Sequence, residues 1–189
     1  MNWQTNPAAI ILRNVARKSG LTKVVGRLKS GGRYEQAFDN ALFETLREGD
    51  VVWDIGANIG YYTKRFAEAV GPSGRVVAFE PFPTTADLLR RNLDGISNYT
   101  LQQFALGNVI GSVRMQVGKE DQGAANRIVD GAVDGVEINI TTGDELLVKG
   151  KAETPTVIKI DTEGFELDVL HGMQTLITLP SLRALFVEV

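Results

Sequence analysis

The sequence contains no cysteine and a single histidine, His171. Without thiols there are no disulfides, zinc fingers, iron–sulfur clusters or cysteine nucleophiles. One imidazole excludes an HExxH zinc site and any multi-histidine metal cage. Neither a GxSxG nucleophile elbow nor a GxxxxGK[ST] phosphate loop is found, so the common hydrolase and NTPase frameworks are missing. No apolar run approaches the ~20 residues that span a bilayer, and there is no signal-peptide core with a cleavage site. The cytoplasm is the expected location. Acids are also missing from one end: Met1 to Tyr34 holds seven Lys and Arg and no Asp or Glu. All 23 acids lie beyond it, against 13 of the 20 bases, a net of −10 for that part.

The overall charge of −3 argues against nucleic acid as the main partner. The basic stretch reads most simply as a solvated face of a leading helix. An anionic acceptor, a membrane surface, nucleic acid or a transit peptide are the other readings of such a run. With 43% hydrophobic and 23% charged residues, the 189-residue chain has the composition of an ordinary globular domain. At that length roughly 70% of the unfolded surface can be buried.

Residues 1–48 read as a helical, basic cap with breaks at Gly20 and Gly31-Gly32, and residues 49–189 as one α/β domain. Short apolar runs predict strands over 51–55, 75–79, 100–106, 156–160 and 182–189, with further strand-like pieces at 112–117 and 136–142. Helical spacing is found over 61–70, 84–93 and 165–177, and Thr142 and Glu145 have capping-box spacing ahead of Leu146 and Leu147. Strands alternating with helices predict βαβ crossovers: a Rossmann-like, doubly wound, mostly parallel sheet with helices on both faces.

The sharpest local feature is Asp54-Ile55-Gly56-Ala57-Asn58-Ile59-Gly60, between a predicted strand and a predicted helix. Gly56 allows close passage of backbone by a ligand, Gly60 tight packing of the next helix, and the helix-start amides face the bound group. Glu80 follows at the end of the second strand, ahead of Pro81-Phe82-Pro83. A carboxylate there accepts hydrogen bonds from both ribose hydroxyls of an adenosine cofactor, with Phe82 against the adenine. Nicotinamide dinucleotides require a glycine where Asn58 stands, so that the pyrophosphate can approach. Asp54 would in addition face the diphosphate with like charge. A carboxylate there suits S-adenosyl-L-methionine, which carries an ammonium and a sulfonium.

A second cluster, Lys159-Ile160-Asp161-Thr162-Glu163-Gly164-Phe165-Glu166, places three carboxylates at a strand carboxyl end, where ligands of open α/β sheets bind. The helix dipole alone accounts for acids at Glu163 and Glu166. Asp161 is the best placed for chemistry. Lys159, in an apolar strand, is expected to pair with a neighbouring carboxylate, and His171, about 15 Å further along a helix at 1.5 Å per residue, is a poor catalytic candidate.

These runs, with Tyr34-Glu35, Ala78-Phe79-Glu80-Pro81, Ala105-Leu106-Gly107, Asp144-Glu145-Leu146-Leu147 and Val169-Leu170-His171-Gly172-Met173, resemble the FkbM-type S-adenosylmethionine-dependent methyltransferases over residues 34–189. The resemblance implies a class I methyltransferase acting on a hydroxyl, often of a sugar or a polyketide. It places Asp54, Gly56, Asn58 and Gly60 around the methionine moiety, Glu80 on the ribose, and Phe82 and Ala105 beside the adenine. Many class I enzymes read the adenine amine with an acid at the end of the third strand. Here Phe104-Ala105 stands in that place, which shifts the reading to backbone groups.

Methyl transfer is an in-line displacement that needs an aligned oxygen and a base for its proton. Asp161 is the expected base or orienting group and Glu163 the second candidate; a divalent cation held by these acids is the alternative, not assigned to residues. Related enzymes continue with two more strands beyond the fifth, so the last strand, ending at Val189, is expected to be truncated there and to present an apolar edge open to a second copy. The competing functions are a catalytically incomplete S-adenosylmethionine-binding module and, less favoured, an NAD-dependent oxidoreductase.

Overall fold

The computed structural model describes residues 24–25, 33–116, 127–128 and 135–188. The elements in chain order are β1 (Val24–Val25), α1 (Arg33–Thr45), β2 (Val51–Ile55), α2 (Tyr61–Val70), β3 (Arg75–Phe79), α3 (Pro83–Asn92) and β4 (Tyr99–Gln102). They continue with β5 (Ala105–Leu106), β6 (Gly111–Gln116), β7 (Arg127–Ile128), β8 (Val136–Thr141), α4 (Gly143–Val148), β9 (Val157–Ile160), α5 (Glu166–His171) and β10 (Ala184–Val187). A 3-10 turn at Leu176–Thr178 precedes the last strand.

The main sheet has the order β1-β10-β9-β2-β3-β4, parallel throughout. The chain lays down β2, β3 and β4 outward in one direction, then returns to place β9 and β10 on the other side of β2. The order reverses between β2 and β9, and a crevice opens at their carboxyl ends. Alternation sorts the side chains by face. Trp53, Ile55, Phe79, Ile158, Ile160 and Leu185 pack with α4 and α5 on one side. Val52, Val76, Val157 and Phe186 pack with Phe66, Ala67 and Val70 of α2, and with Phe38 and Leu42 of α1, on the other. Both faces are covered, as a parallel sheet requires.

Asp50 locks the base of this arrangement. Buried at the start of β2, it accepts from Arg183 through both oxygens (2.6 and 2.7 Å), from the Arg47 amide (2.7 Å) and from the Thr156 hydroxyl (2.9 Å). Burial alone would raise this carboxyl, but the Arg183, Arg47 and Thr156 hydrogen bonds outweigh it and hold it below its ordinary value. One buried acid thereby ties together the approaches to β2, β9 and β10.

Three expectations are corrected by the fold, and one is filled in. The strand expected over 100–106 is two: β4 in the main sheet, and β5, which turns into a second sheet of order β5-β8-β6-β7. The pieces expected at 112–117 and 136–142 are β6 and β8 of that sheet, paired antiparallel from Gly111↔Ile140 to Met115↔Val136. The helix expected over 165–177 is shorter: it ends at His171, and Gly172 after it packs so close to the Gly107 carbonyl oxygen that a Cβ there would lie 1.8 Å away. Val24-Val25, read as helical, form β1 along the outer side of β10, with Val24↔Leu185 and Val25↔Phe186 as partners. The last strand is therefore not a bare edge over that length. Among the described residues no helix is long and apolar enough to cross a membrane.

Candidate functional site

A cavity of about 260 Å³ occupies the crevice. Its floor is Ile55 and Phe79, and one wall comes from the second sheet through Val113, Met115 and Ile140. Gly56, Asn58, Glu80, Phe82, Ala105, Asp161 and Glu163 all line it. Asp54 and Gly60 do not. Seven of the nine residues singled out from the sequence thus meet around one space, and two sit behind it.

Glu80 is fixed where β3 ends. Its Oε2 accepts from the Asn58 amide and its Oε1 from the Phe82 amide, both at 3.0 Å. Asn58 has a left-handed φ of 50°, which an asparagine tolerates. Glu80 as a residue is 5% exposed. Burial pushes it above its ordinary value, the two amides oppose that push, and the charges of Asp54 and Glu163 reinforce it. Each oxygen keeps a second lone pair for a ligand. Beside it, Phe82, Met115 and Ile138 form an apolar cluster with Ala105, Val113 and Phe165 packed against it, a slot suited to a flat ring.

Gly56 has φ +81°, and a Cβ there would lie 1.8 Å from the Asp161 carbonyl oxygen. The glycine is required by the neighbouring strand end and not by a ligand alone. Gly60 is likewise pressed by α3, with Leu93 Cδ1 2.4 Å from where its Cβ would be.

Asp54 is wholly buried on the α2 side of the sheet, and its Oδ2 accepts from the Thr63 hydroxyl at 2.6 Å. Among the described residues, its Oδ1 has no hydrogen-bond donor. The nearest cation is Lys159, the cross-strand partner of Asp54 in β9, whose Nζ lies 3.6 Å from that oxygen. The same ammonium is 3.3 Å from Asp161 Oδ2 and 4.7 Å above the Tyr62 ring. Lys159 thus pairs with two carboxylates, one behind the cavity and one in its wall.

The loop after β9 is organised by Glu166, whose role sequence reasoning underrated. Its buried carboxylate accepts from the Thr162 amide (3.0 Å), the Thr162 hydroxyl (3.1 Å) and the Gly164 amide (3.0 Å). These bonds hold Glu163 at a left-handed φ of 52°, rare for a glutamate. The signal was there in the spacing: an acid two and four residues after potential donors in a glycine-containing loop. His171 is exposed at the end of α5 and does not line the cavity. Among the described residues no three His, Cys, Asp or Glu side chains are grouped closely enough to hold a metal ion.

The family model described as the methyltransferase FkbM domain matches residues 54–189. The hexuronic acid methyltransferase AglP of Haloferax volcanii is 34% identical over 159 residues, covering 83% of this chain and 63% of that protein. The methyltransferase sdnD of Sordaria araneosa is 24% identical over 185 residues, covering 79% and 71%. A protein-L-isoaspartate O-methyltransferase of Methanothrix thermoacetophila is 45% identical over 49 residues, 26% of this chain and 23% of that one. A solved methyltransferase from Aquifex aeolicus aligns over 87% of this chain and 65% of its own, with a TM-score of 0.46 and 14% identity. The chain spans less than two thirds of the AglP protein and about a quarter of the isoaspartate enzyme. The matched span begins at Asp54, runs through the Glu80 strand end and the Lys159–Glu166 loop, and covers well over half of the residues, so the chain belongs to the FkbM methyltransferase domain family.

Proposed function

We propose that this domain binds S-adenosyl-L-methionine and transfers its methyl group to a hydroxyl oxygen of a sugar. The observation that carries the reading is the charge of the cavity wall. Its four ionisable side chains among the described residues, Glu80, Asp161, Glu163 and Asp168, are all acids. Such a wall suits a cationic nucleoside and opposes a diphosphate. In this reading Glu80, held by two amides at the end of β3, accepts from the ribose hydroxyls, and the Phe82–Ala105 slot takes the purine. The relative whose name specifies a hexuronic acid supports the sugar as acceptor class.

Bound there, the cofactor supplies an electrophilic methyl group. The chain's part is alignment and proton removal. Asp161 lines the cavity with its side chain 32% exposed and is steadied by Lys159 at 3.3 Å. In this reading it accepts the acceptor hydroxyl's proton as the new bond to oxygen forms. Glu163, exposed and held by the Glu166 loop, orients the acceptor. Glu80 accepts from the ribose.

Calorimetry with S-adenosylmethionine, S-adenosylhomocysteine and NAD in parallel tests the cofactor, with binding expected for the first two only. Turnover with neutral sugars and a hexuronic acid, for the wild type and Asp161→Asn, tests the chemistry. The expected result is a loss of turnover of about 10²-fold or more, the lower range for a general base, with cofactor affinity retained. Tighter binding of NAD, or unchanged turnover in the variant, would overturn the corresponding part.

A further inference from the structure

The Phe104-Ala105 pair leaves the end of the third strand without an acid to read adenine, and backbone groups were the expected substitute. Just beyond that pair, the backbone groups of Gly107 are committed elsewhere. The Gly107 amide donates to the Thr141 carbonyl at 2.9 Å, closing the end of the β5–β8 pairing. The Gly107 carbonyl is pressed against Gly172, whose missing Cβ would lie 1.8 Å from that oxygen. No ligand reaches it from that side.

What remains at this end of the cavity is a pair of side chains from two different elements. Asn108 follows β5, and Asp168 lies in α5, sixty residues later. Asn108 Nδ2 donates to Asp168 Oδ1 at 2.8 Å, and both residues line the cavity next to Leu106 and Gly107. The half-buried Asp168 is held by one oxygen, and Oδ2 takes part in no hydrogen bond within the described structure. The apolar residues Phe82, Ala105 and Phe165, Glu80 and this pair all line the same cavity. In the placement proposed below, the ribose on Glu80 and the purine against these apolar residues leave Asn108 and Asp168 as the polar side-chain pair of that lining available to a base edge.

We propose that Asp168 is the adenine-reading residue: its Oδ2 accepts a hydrogen bond from the exocyclic amine of the cofactor's adenine, with Asn108 as the residue that positions it. The inference rests on the S-adenosylmethionine reading above and adds to it a specificity determinant on α5, in place of the strand-end acid. A carboxylate distinguishes the amine, a donor, from the carbonyl oxygen of the deaminated base, an acceptor.

The test compares affinities for S-adenosylhomocysteine and for S-inosylhomocysteine, its deaminated counterpart, by calorimetry on the whole chain. The wild type should prefer the adenine compound by about tenfold to a hundredfold, the range for a hydrogen bond to a charged group. Asp168→Ala should abolish most of that preference. Asp168→Asn keeps the size and can offer an amide donor to the inosine oxygen, so it should bind S-inosylhomocysteine more tightly than the wild type does. Asn108→Ala should weaken the preference by a smaller factor. An equal loss of both ligands in Asp168→Asn, or an unchanged preference in all three variants, would overturn the assignment while leaving the cofactor reading intact. Failure of the wild type to bind either compound would overturn the cofactor reading, and the assignment with it.

Discussion

Replacing Lys159 by methionine should destabilise the fold far more than the loss of one lysine usually does. The side chain is 2% exposed and its partner Asp54 is 0% exposed, so water screens neither. The ammonium sits 3.6 Å from Asp54 Oδ1 and 3.3 Å from Asp161 Oδ2, and rests over Tyr62 at 4.7 Å. Methionine matches the stem and packs well on aromatic rings, so the lost volume is small. The cost lies in what is left behind. Asp54 would keep one hydrogen bond, from Thr63, and no counter-charge. Removing one member of a buried pair costs about 3–5 kcal/mol. For a chain of this size that lowers the midpoint of thermal unfolding by about 6–20 °C, at roughly 2–4 °C per kcal/mol. Urea unfolding of Lys159→Met, Asp54→Asn and the double variant measures it. The double variant should recover at least about 1 kcal/mol relative to the sum of the single changes, since the stranded charge is gone. A cost below 1 kcal/mol for Lys159→Met, or strict additivity in the cycle, would refute the view that this ammonium is what keeps Asp54 tolerable inside the sheet.

Other predictions follow from the same residues. The Asp50 carboxyl is held below its ordinary value of 3.8, so its contribution is fully present above that pH and is lost as acid takes the protein through the lower, folded value. Asp50→Asn should flatten that limb of the acid-unfolding curve and lower stability at neutral pH. Glu80 is shifted the other way: raised above 4.5 by burial, it favours the folded state most below that pH and loses this contribution as pH rises through its folded value. Glu80→Gln should remove this slope in pH-dependent urea unfolding and, in calorimetry, weaken S-adenosylmethionine binding by at least about tenfold. Gly56→Ala and Gly95→Ala share a left-handed backbone, φ +81° and +83°, but only Gly56 has a carbonyl 1.8 Å from the added methyl. Gly95→Ala should cost about 1–2 kcal/mol from its backbone alone, and Gly56→Ala clearly more, with lost turnover as the Asp161 strand end is displaced.

Much of this protein was legible along the chain because the relevant physics is local. Buried parallel strands are short apolar runs, and β2, β3 and α2 have the boundaries that periodicity predicts. Thr142 caps α4 through the Glu145 amide at 3.1 Å, as the spacing of those two residues implies. The glycine turn and the strand-end acid are separated by a fixed run of strand and helix, so Glu80 could be expected at the crevice it lines without coordinates. Gly56, Asn58, Phe82, Ala105, Asp161 and Glu163 follow the same logic, since all sit at carboxyl ends of strands or just beyond them.

Other features depend on which distant residues the fold brings together. That Asp54 is turned into the α2 side, facing Lys159 across the β2–β9 register, is decided by strand pairing between residues 105 positions apart. The split of the third strand into β4 and β5 is decided by β8, which offers Thr141 and Ile140 as partners to a chain that would otherwise continue straight. That residue 172 must be glycine is decided by Gly107, whose carbonyl oxygen occupies the space a side chain would need. Asp168 meets Asn108 only once the second sheet has swung β5 against α5. Periodicity and motif spacing report what each segment prefers by itself, whereas registers, close approaches and side-chain pairs are properties of the packed whole, set when hydrophobic burial forces remote segments into one volume.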